Sequence, residues 1–189
     1  MFSLFISVQK LHYSVFDKPS TIRRCMAKTD SFFIRARVST DTTNFAQTAI
    51  DLGAYVDALG KSVLRIHNIA VQYGTATETP SNNANATDVT AFQLTTQTQS
   101  AMVQVDDKSL IASGRLLAHG LAAGEATFVD DSLDVSPQDW KNGYLVGVEQ
   151  IYLGTDQSYD MIQSVAIVLE CTVETLSQNA AMALALSQQ

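Results

Sequence analysis

From Met161 to Leu176 apolar and polar residues alternate. Val165, Ile167, Leu169, Cys171 and Val173 take every second position, and Ser164, Glu170, Thr172 and Glu174 fall between them. Successive side chains of an extended chain point to opposite faces, so this stretch is predicted as a strand with one buried face. Tyr144 to Leu153 carries Tyr144, Val146 and Val148 on one side and Leu145, Ile151 and Leu153 on the other. Apolar on both faces, it reads as a long central strand. The turn-forming residues Gly154 to Asp160 then suggest a long hairpin joining the two.

The same period recurs upstream. Ser31 to Ser39 sets Ile34, Ala36 and Val38 against Phe33, Arg35 and Arg37, a half-buried strand with a basic outer face. Phe45 to Val56 alternates through Ala46, Thr48, Ile50 and Leu52 before a turn. In Val63 to Tyr73 the apolar parity switches between Ile66 and Ile69, which a bulge near His67-Asn68 repairs. Gly74 to Thr90 reads as an exposed loop. Ala91 to Val105 is expected to give two short strands or one bulged one, with a turn at Asp106 to Ser109. Leu110 to Ala118 and Ala126 to Leu133 are further strands around a small-residue loop, His119 to Gly124. Ser136-Pro137-Gln138-Asp139 predicts a helix of barely two turns ending at Gly143. Residues 177–189 are helix-prone and uncharged, either docked on this chain or handed to a neighbour.

A chain of 189 residues suits one well-buried core with appendages. Charged residues make up 16% where about 25% is usual, and 56 Ser, Thr, Asn and Gln cover the surface instead. Such a surface desolvates at lower cost than a charged one, which suits subunit contact; a monomer with a polar coat is the alternative. Residues 1–37 hold seven cations against two acids, +5, so the remainder of the net −7 chain carries −12. A basic arm on an acidic body fits nucleic acid, anionic lipid or the acidic face of another copy. Residues 1–30 form this arm, with Phe2, Leu4, Ile6, Leu11, Val15 and Phe16 too apolar for a free tail. Met1 to Val8 lacks a preceding positive region and is not read as a signal peptide; Met26 is a second plausible start. No run approaches the roughly 18 apolar residues of a membrane-spanning helix.

Sequence motifs of catalysis are missing: no Gly-x-Ser-x-Gly, no phosphate-binding Gly-rich loop, no paired-cysteine zinc motif, no His-Glu-x-x-His. His12, His67 and His119 stand apart from one another, and Cys25 and Cys171 read as free thiols. Asp130, Asp131 and Asp134, or Asp106 and Asp107, have the oxygens for calcium but not the loop register of a calcium hand, and read first as solvated turn acids. Asn85-Ala86-Thr87 is a glycosylation triplet. Trp140, Tyr144 and Tyr152 are candidates for a sugar-stacking platform, against a plainer reading as core or hinge aromatics. No catalytic, cofactor-binding or metal residue is assigned, and a non-enzymatic protein without cofactors is expected.

About eight strands, one short helix and a closing strand pair predict an all-β antiparallel sandwich, an eight-stranded jelly roll over residues 31–176, with the arm before it and a short helical tail after it. The basic arm before Phe32-Phe33-Ile34-Arg35, the strands at Val63 to Tyr73, Ala91 to Gln97 and Tyr144 to Leu153, and the last strand Val165 to Val173 resemble single jelly-roll capsid proteins of icosahedral viruses. The arm is less basic than the arms of many such proteins. The resemblance implies a structural protein of the virion that self-assembles through its flanks and terminal segments. It implies homo-oligomeric contact, other virion proteins as possible partners, and nucleic-acid contact through Lys10, Lys18, Arg23, Arg24 and Lys28. The competing reading is a monomeric carbohydrate-binding or adhesin sandwich; a cupin-type enzyme would need clustered histidines that this chain does not have.

Overall fold

A computed structural model describes residues 29–39, 45–57, 61–158, 162 and 164–189. Among the described residues nine strands form two antiparallel sheets. They are β1 (Phe32–Ser39), β2 (Ala46–Asp51), β3 (Ser62–Tyr73), β4 (Ala86–Thr95), β5 (Leu110–Gly120), β6 (Phe128–Val135), β7 (Tyr144–Val146), β8 (Gln150–Gln157) and β9 (Ser164–Thr175), followed by a helix, α1 (Gln178–Ser187). One sheet has the order β1-β9-β3-β7 and the other β2-β8-β4-β5-β6.

The pairing is nested: β1 with β9, β2 with β8, β3 with β7, β4 with β5. That is one long antiparallel hairpin rolled around a core, the jelly roll, with β6 added outside the eight nested strands. Between the sheets lie Ile50, Leu52, Leu64, Ile66, Ile69, Phe92, Leu94, Ile111, Ile151, Leu153, Val165, Ile167, Leu169 and Cys171, all buried. The alternation in β9 and β1 is as expected, and β3 shifts register between Ile66 and Asn68, placing His67 in the bulge.

Several expectations are corrected. Tyr144 to Leu153 is two strands, not one. β7 pairs with β3, the chain bends at residues 147–149, and β8 enters the opposite sheet between β2 and β4. Its two-faced apolarity comes from crossing between sheets, each part burying a different parity. Gly154 to Asp160 is not a hairpin turn either: Gly154 to Gln157 belong to β8, and β8 and β9 lie in different sheets. Gly154 sits in mid-strand because a Cβ there would meet the Phe45 ring at 2.8 Å.

Ala101, Val103 and Val105 form no strand; they lie in the β4–β5 loop. The buried carboxamide of Gln93 takes the place of a strand partner, donating to Ala101 O at 3.1 Å and accepting from Val103 N at 2.7 Å. The loop predicted over Gly74 to Thr90 ends early, since β4 starts at Ala86. Within it Asn82 is fully buried, its Nδ2 donating to Asn83 O, Gly120 O and Ala122 O. The helix at Pro137 is a single 3-10 turn, Pro137–Asp139. Ser136 Oγ donates to the Asp139 carboxylate at 2.7 Å instead of capping, and Gln138 reaches β3, accepting from Ile69 N and donating to Ile69 O.

The C-terminal segment is helical and docked on its own chain. Ser177 caps α1 by accepting from Ala180 N. Beyond the helix Gln188, 4% exposed, accepts from Gly147 N at 2.8 Å and donates to Leu145 O at 2.7 Å, while its carbonyl takes Thr96 Oγ1 at 2.9 Å. One residue thereby satisfies the backbone groups freed where the chain changes sheets. Gln188→Ala leaves those groups without their partners and is expected to lower the unfolding free energy by about 2 kcal/mol, read from the midpoint of urea denaturation followed by tryptophan fluorescence.

Candidate functional site

Three surfaces carry side chains that the fold itself does not consume. The first is the outer face of β1. As the edge of its sheet, β1 buries Val38 and half-buries Ile34 and Ala36, which turns Phe33, Arg35 and Arg37 outward. Phe33 is 55% exposed, the Arg35 guanidinium lies 5.9 Å from its ring centre, and Arg37 donates to Gly74 O at 3.5 Å. The predicted basic strand face is therefore present. The arm cations Lys10, Lys18, Arg23, Arg24 and Lys28, with His12 and Cys25, lie outside the described residues or at positions whose structure is not described. On the neighbouring strands Arg65 forms a two-pronged ion pair with Glu174 at 2.7 and 2.8 Å, and His67 meets Thr172 Oγ1 at 2.9 Å.

The second surface is an open groove of about 460 Å³ beside β7, lined by Arg65, Trp140, Lys141, Tyr144, Leu184 and Gln188. Trp140 and Tyr144 do share a groove, but Tyr152 lines a different one with Thr96 and Glu149. Burial raises the Tyr144 phenol above its ordinary range. The charged groups lining the first groove are cations, so the convergence of aromatics with acids that a sugar-binding face requires is not formed there.

The third is β6. Its hairpin with β5 is held by Thr127 N donating to His119 O at 2.8 Å and by Gly124 N donating to Asn82 O at 2.8 Å. Gly120 permits this closeness, because a Cβ there would run into Glu125 O and the Asn82 carboxamide. Among the described residues β6 is the last strand of its sheet, seven of its eight residues are exposed, and no described strand pairs with its second edge. Opposite Ala118, Leu116 and Gly114, its inward face carries Val129, Asp131 and Leu133; its outward face carries Phe128, Asp130, Ser132 and Asp134. Phe128 is 58%, Val129 45% and Leu133 41% exposed.

No family model matches this sequence, and no curated protein matches it. Among solved structures the chain is similar to one of Desmodium yellow mottle tymovirus, at 9% identity and a TM-score of 0.38, over 90% of this chain and 95% of that one. A score that low carries no argument about fold or function.

The remaining sequence candidates are dispersed. Asp130 and Asp131 point to opposite faces of β6, and Asp134 pairs with Arg115 at 2.8 Å. Asp107 accepts from Ser109 N and Oγ, which hold its carboxyl below the usual range; Asp106 lies beside it in the same loop. Among the described residues no group of three or more His, Cys, Asp or Glu converges as metal ligands. His119 Nδ1 meets Thr87 Oγ1 at 3.1 Å in β5, in the opposite sheet from His67. Asn85 is exposed in a left-handed turn before β4, with φ 54°.

Sequence reasoning placed a strand near β6 but missed that it is an added edge. Three aspartates in eight residues were the available signal, since central strands avoid them. Tyr73 packs against the core in the register expected with Ile69 and Val71, but among the described residues its buried hydroxyl has no hydrogen-bond partner, and burial, then the Asp131 and Asp134 charges, push its ionisation well above the ordinary value. Cys171 is a buried free thiol pushed up to about 12 by burial and by Glu170. In a Cys25→Ser background the folded protein is therefore expected to leave a thiol reagent unreacted at pH 8 and to consume one equivalent after denaturation.

Proposed function

We propose that this protein is a structural subunit that assembles with copies of itself into a closed shell, a capsid, and that it works in the virion rather than as an enzyme. The observation that carries this reading is the nested jelly-roll pairing whose lateral strands, β6 above all, have no partner on their outer edges among the described residues, with large apolar side chains exposed beside them. A long exposed edge bearing apolar residues invites pairing with another chain, and natural monomers blunt or cover such edges. Phe33 on β1, Phe128, Val129 and Leu133 on β6, and Trp140 before β7 lie along the flanks, where sandwiches packed side by side meet.

Composition supports the same reading. Interfaces of stable complexes bury on the order of 1,600 Å² in total, and their cores are depleted in charge. A chain with 16% charged residues meets that condition over much of its surface. Both described ends, Thr29 paired with Val173 and α1 after β9, emerge at the same end of the sandwich. The arm thus starts where it is able to reach a neighbour without crossing its own body.

Nucleic-acid contact fits this reading as a secondary role. Phe33 flanked by Arg35 and Arg37 offers one ring for base stacking and two cations for phosphates, continuous with the arm. Full-length protein at micromolar concentration and moderate ionic strength is expected to sediment as large particles visible by negative-stain electron microscopy. A monomer that persists at high concentration with residues 1–28 intact overturns the assignment.

A further inference from the structure

The edge of β6 that no described strand covers asks for an occupant, and its chemistry limits what that is. Backbone N–H and C=O groups along an unpaired strand accept an added strand, the pockets beside alternate side chains then setting specificity. On the inward face Asp131 stands between Val129 and Leu133, over the buried Leu116 and Ala118 and near Tyr73. An inward-facing charge on an edge deters indiscriminate pairing. It accepts only a strand that brings a cation to that face. On the outward face Asp130 makes the same demand, while Asp134 is already paired with Arg115.

One segment of this chain meets both demands. Residues 1–28 carry five cations and one acid, +4, against −11 on residues 29–189. Within residues 22–28, Arg23 and Arg24 are consecutive, so an extended backbone sends one guanidinium to each face; Asp130 and Asp131, also consecutive, send one carboxylate to each. In the antiparallel register that sets Arg23 against Asp131 and Arg24 against Asp130, Cys25 falls beside Val129 on the inward face and Met26 beside Phe128 on the outward one.

The occupant comes from another copy. β1, to which the arm leads, pairs at one extreme of the sandwich and faces β2, whereas β6 stands beyond β5 at the other. Reaching β6 of the same body takes the arm across the end that α1 and the β4–β5 loop occupy. Two bodies laid side by side bring the β1 flank of one to the β6 flank of the next, and residues 22–28 to the acceptor edge. We propose that β6 of each subunit is the docking strand for residues 22–28 of a second copy, an added strand fixed by Arg23 and Arg24 against Asp130 and Asp131. This inference rests on the assembly reading and specifies its contact.

The test uses Cys25 as a native probe. Full-length Val129→Cys and, separately, Leu133→Cys proteins are assembled, oxidised and run on non-reducing gels, with Ala49→Cys on the opposite edge strand β2 as control. The expected result is a ladder of cross-linked multimers from at least one β6 position and none from β2. The ladder is lost on adding Arg23→Glu and Arg24→Glu, and regained when these are combined with Asp130→Lys and Asp131→Lys. Particles that form without interchain cross-links at β6, that cross-link equally at β2, or that cross-link only within one chain overturn the docking strand while leaving the shell reading standing. Failure of the unmodified protein to assemble overturns the shell reading and the docking strand with it.

Discussion

The pairing of β3 with β9 along their whole lengths is what the rest of the sandwich hangs on. Leu64 to Tyr73 meets Val173 to Val165 in register, with His67 pushed out as the single bulged residue. The bulge matters because side-chain facing has a period of two: without it Ile69 would leave the core that Leu64 and Ile66 enter. Once this ribbon is fixed, β1 adds to β9 on one side and β7 to β3 on the other, and the second sheet closes over Ile66, Leu169 and Cys171. The Arg65–Glu174 ion pair and the His67–Thr172 contact fasten the same two strands from outside.

Where strand pairing stops, glutamine side chains continue it. Gln93 holds the β4–β5 loop, Gln138 completes the edge of β3 beyond β7, and Gln188 satisfies the crossing between β7 and β8. Gln157 Oε1 accepts from Ile162 N, and Gln47 Oε1 accepts from Gln99 N. A carboxamide carries a donor and an acceptor in the geometry of a peptide group, so it stands in for a strand without adding a charge to bury. Part of the amide-rich composition is therefore spent inside the sandwich, on loops that would otherwise leave backbone groups unpaired.

The flanks show the complementary state. Among the described residues β6 extends one sheet beyond the nested eight strands with no second sheet over it, and it keeps apolar side chains at the surface in the company of aspartates. A low-charge body, an acidic edge strand and a basic arm are the features on which the proposed meeting of copies rests. The Trp140–Tyr144 groove and the separated histidines supply no comparable set for a small ligand.

The alternation in β1, β2, β3 and β9 is legible in the sequence because each buries one face throughout its length, and the bulge at His67 is legible because it breaks that parity. Asn82, Gln93 and Gln188 were not legible as structural residues: a polar side chain in a loop looks the same whether it meets water or a distant backbone. The sequence by itself determined the sandwich class, the approximate strands and the opposed charges of arm and body, since these depend on local periodicity and composition. Only the tertiary structure decided that Tyr144 to Leu153 divides between two sheets, that the tail docks on its own chain and that β6 ends its sheet among the described strands. Those outcomes depend on which strands become neighbours across long separations, and local pattern carries no record of that choice.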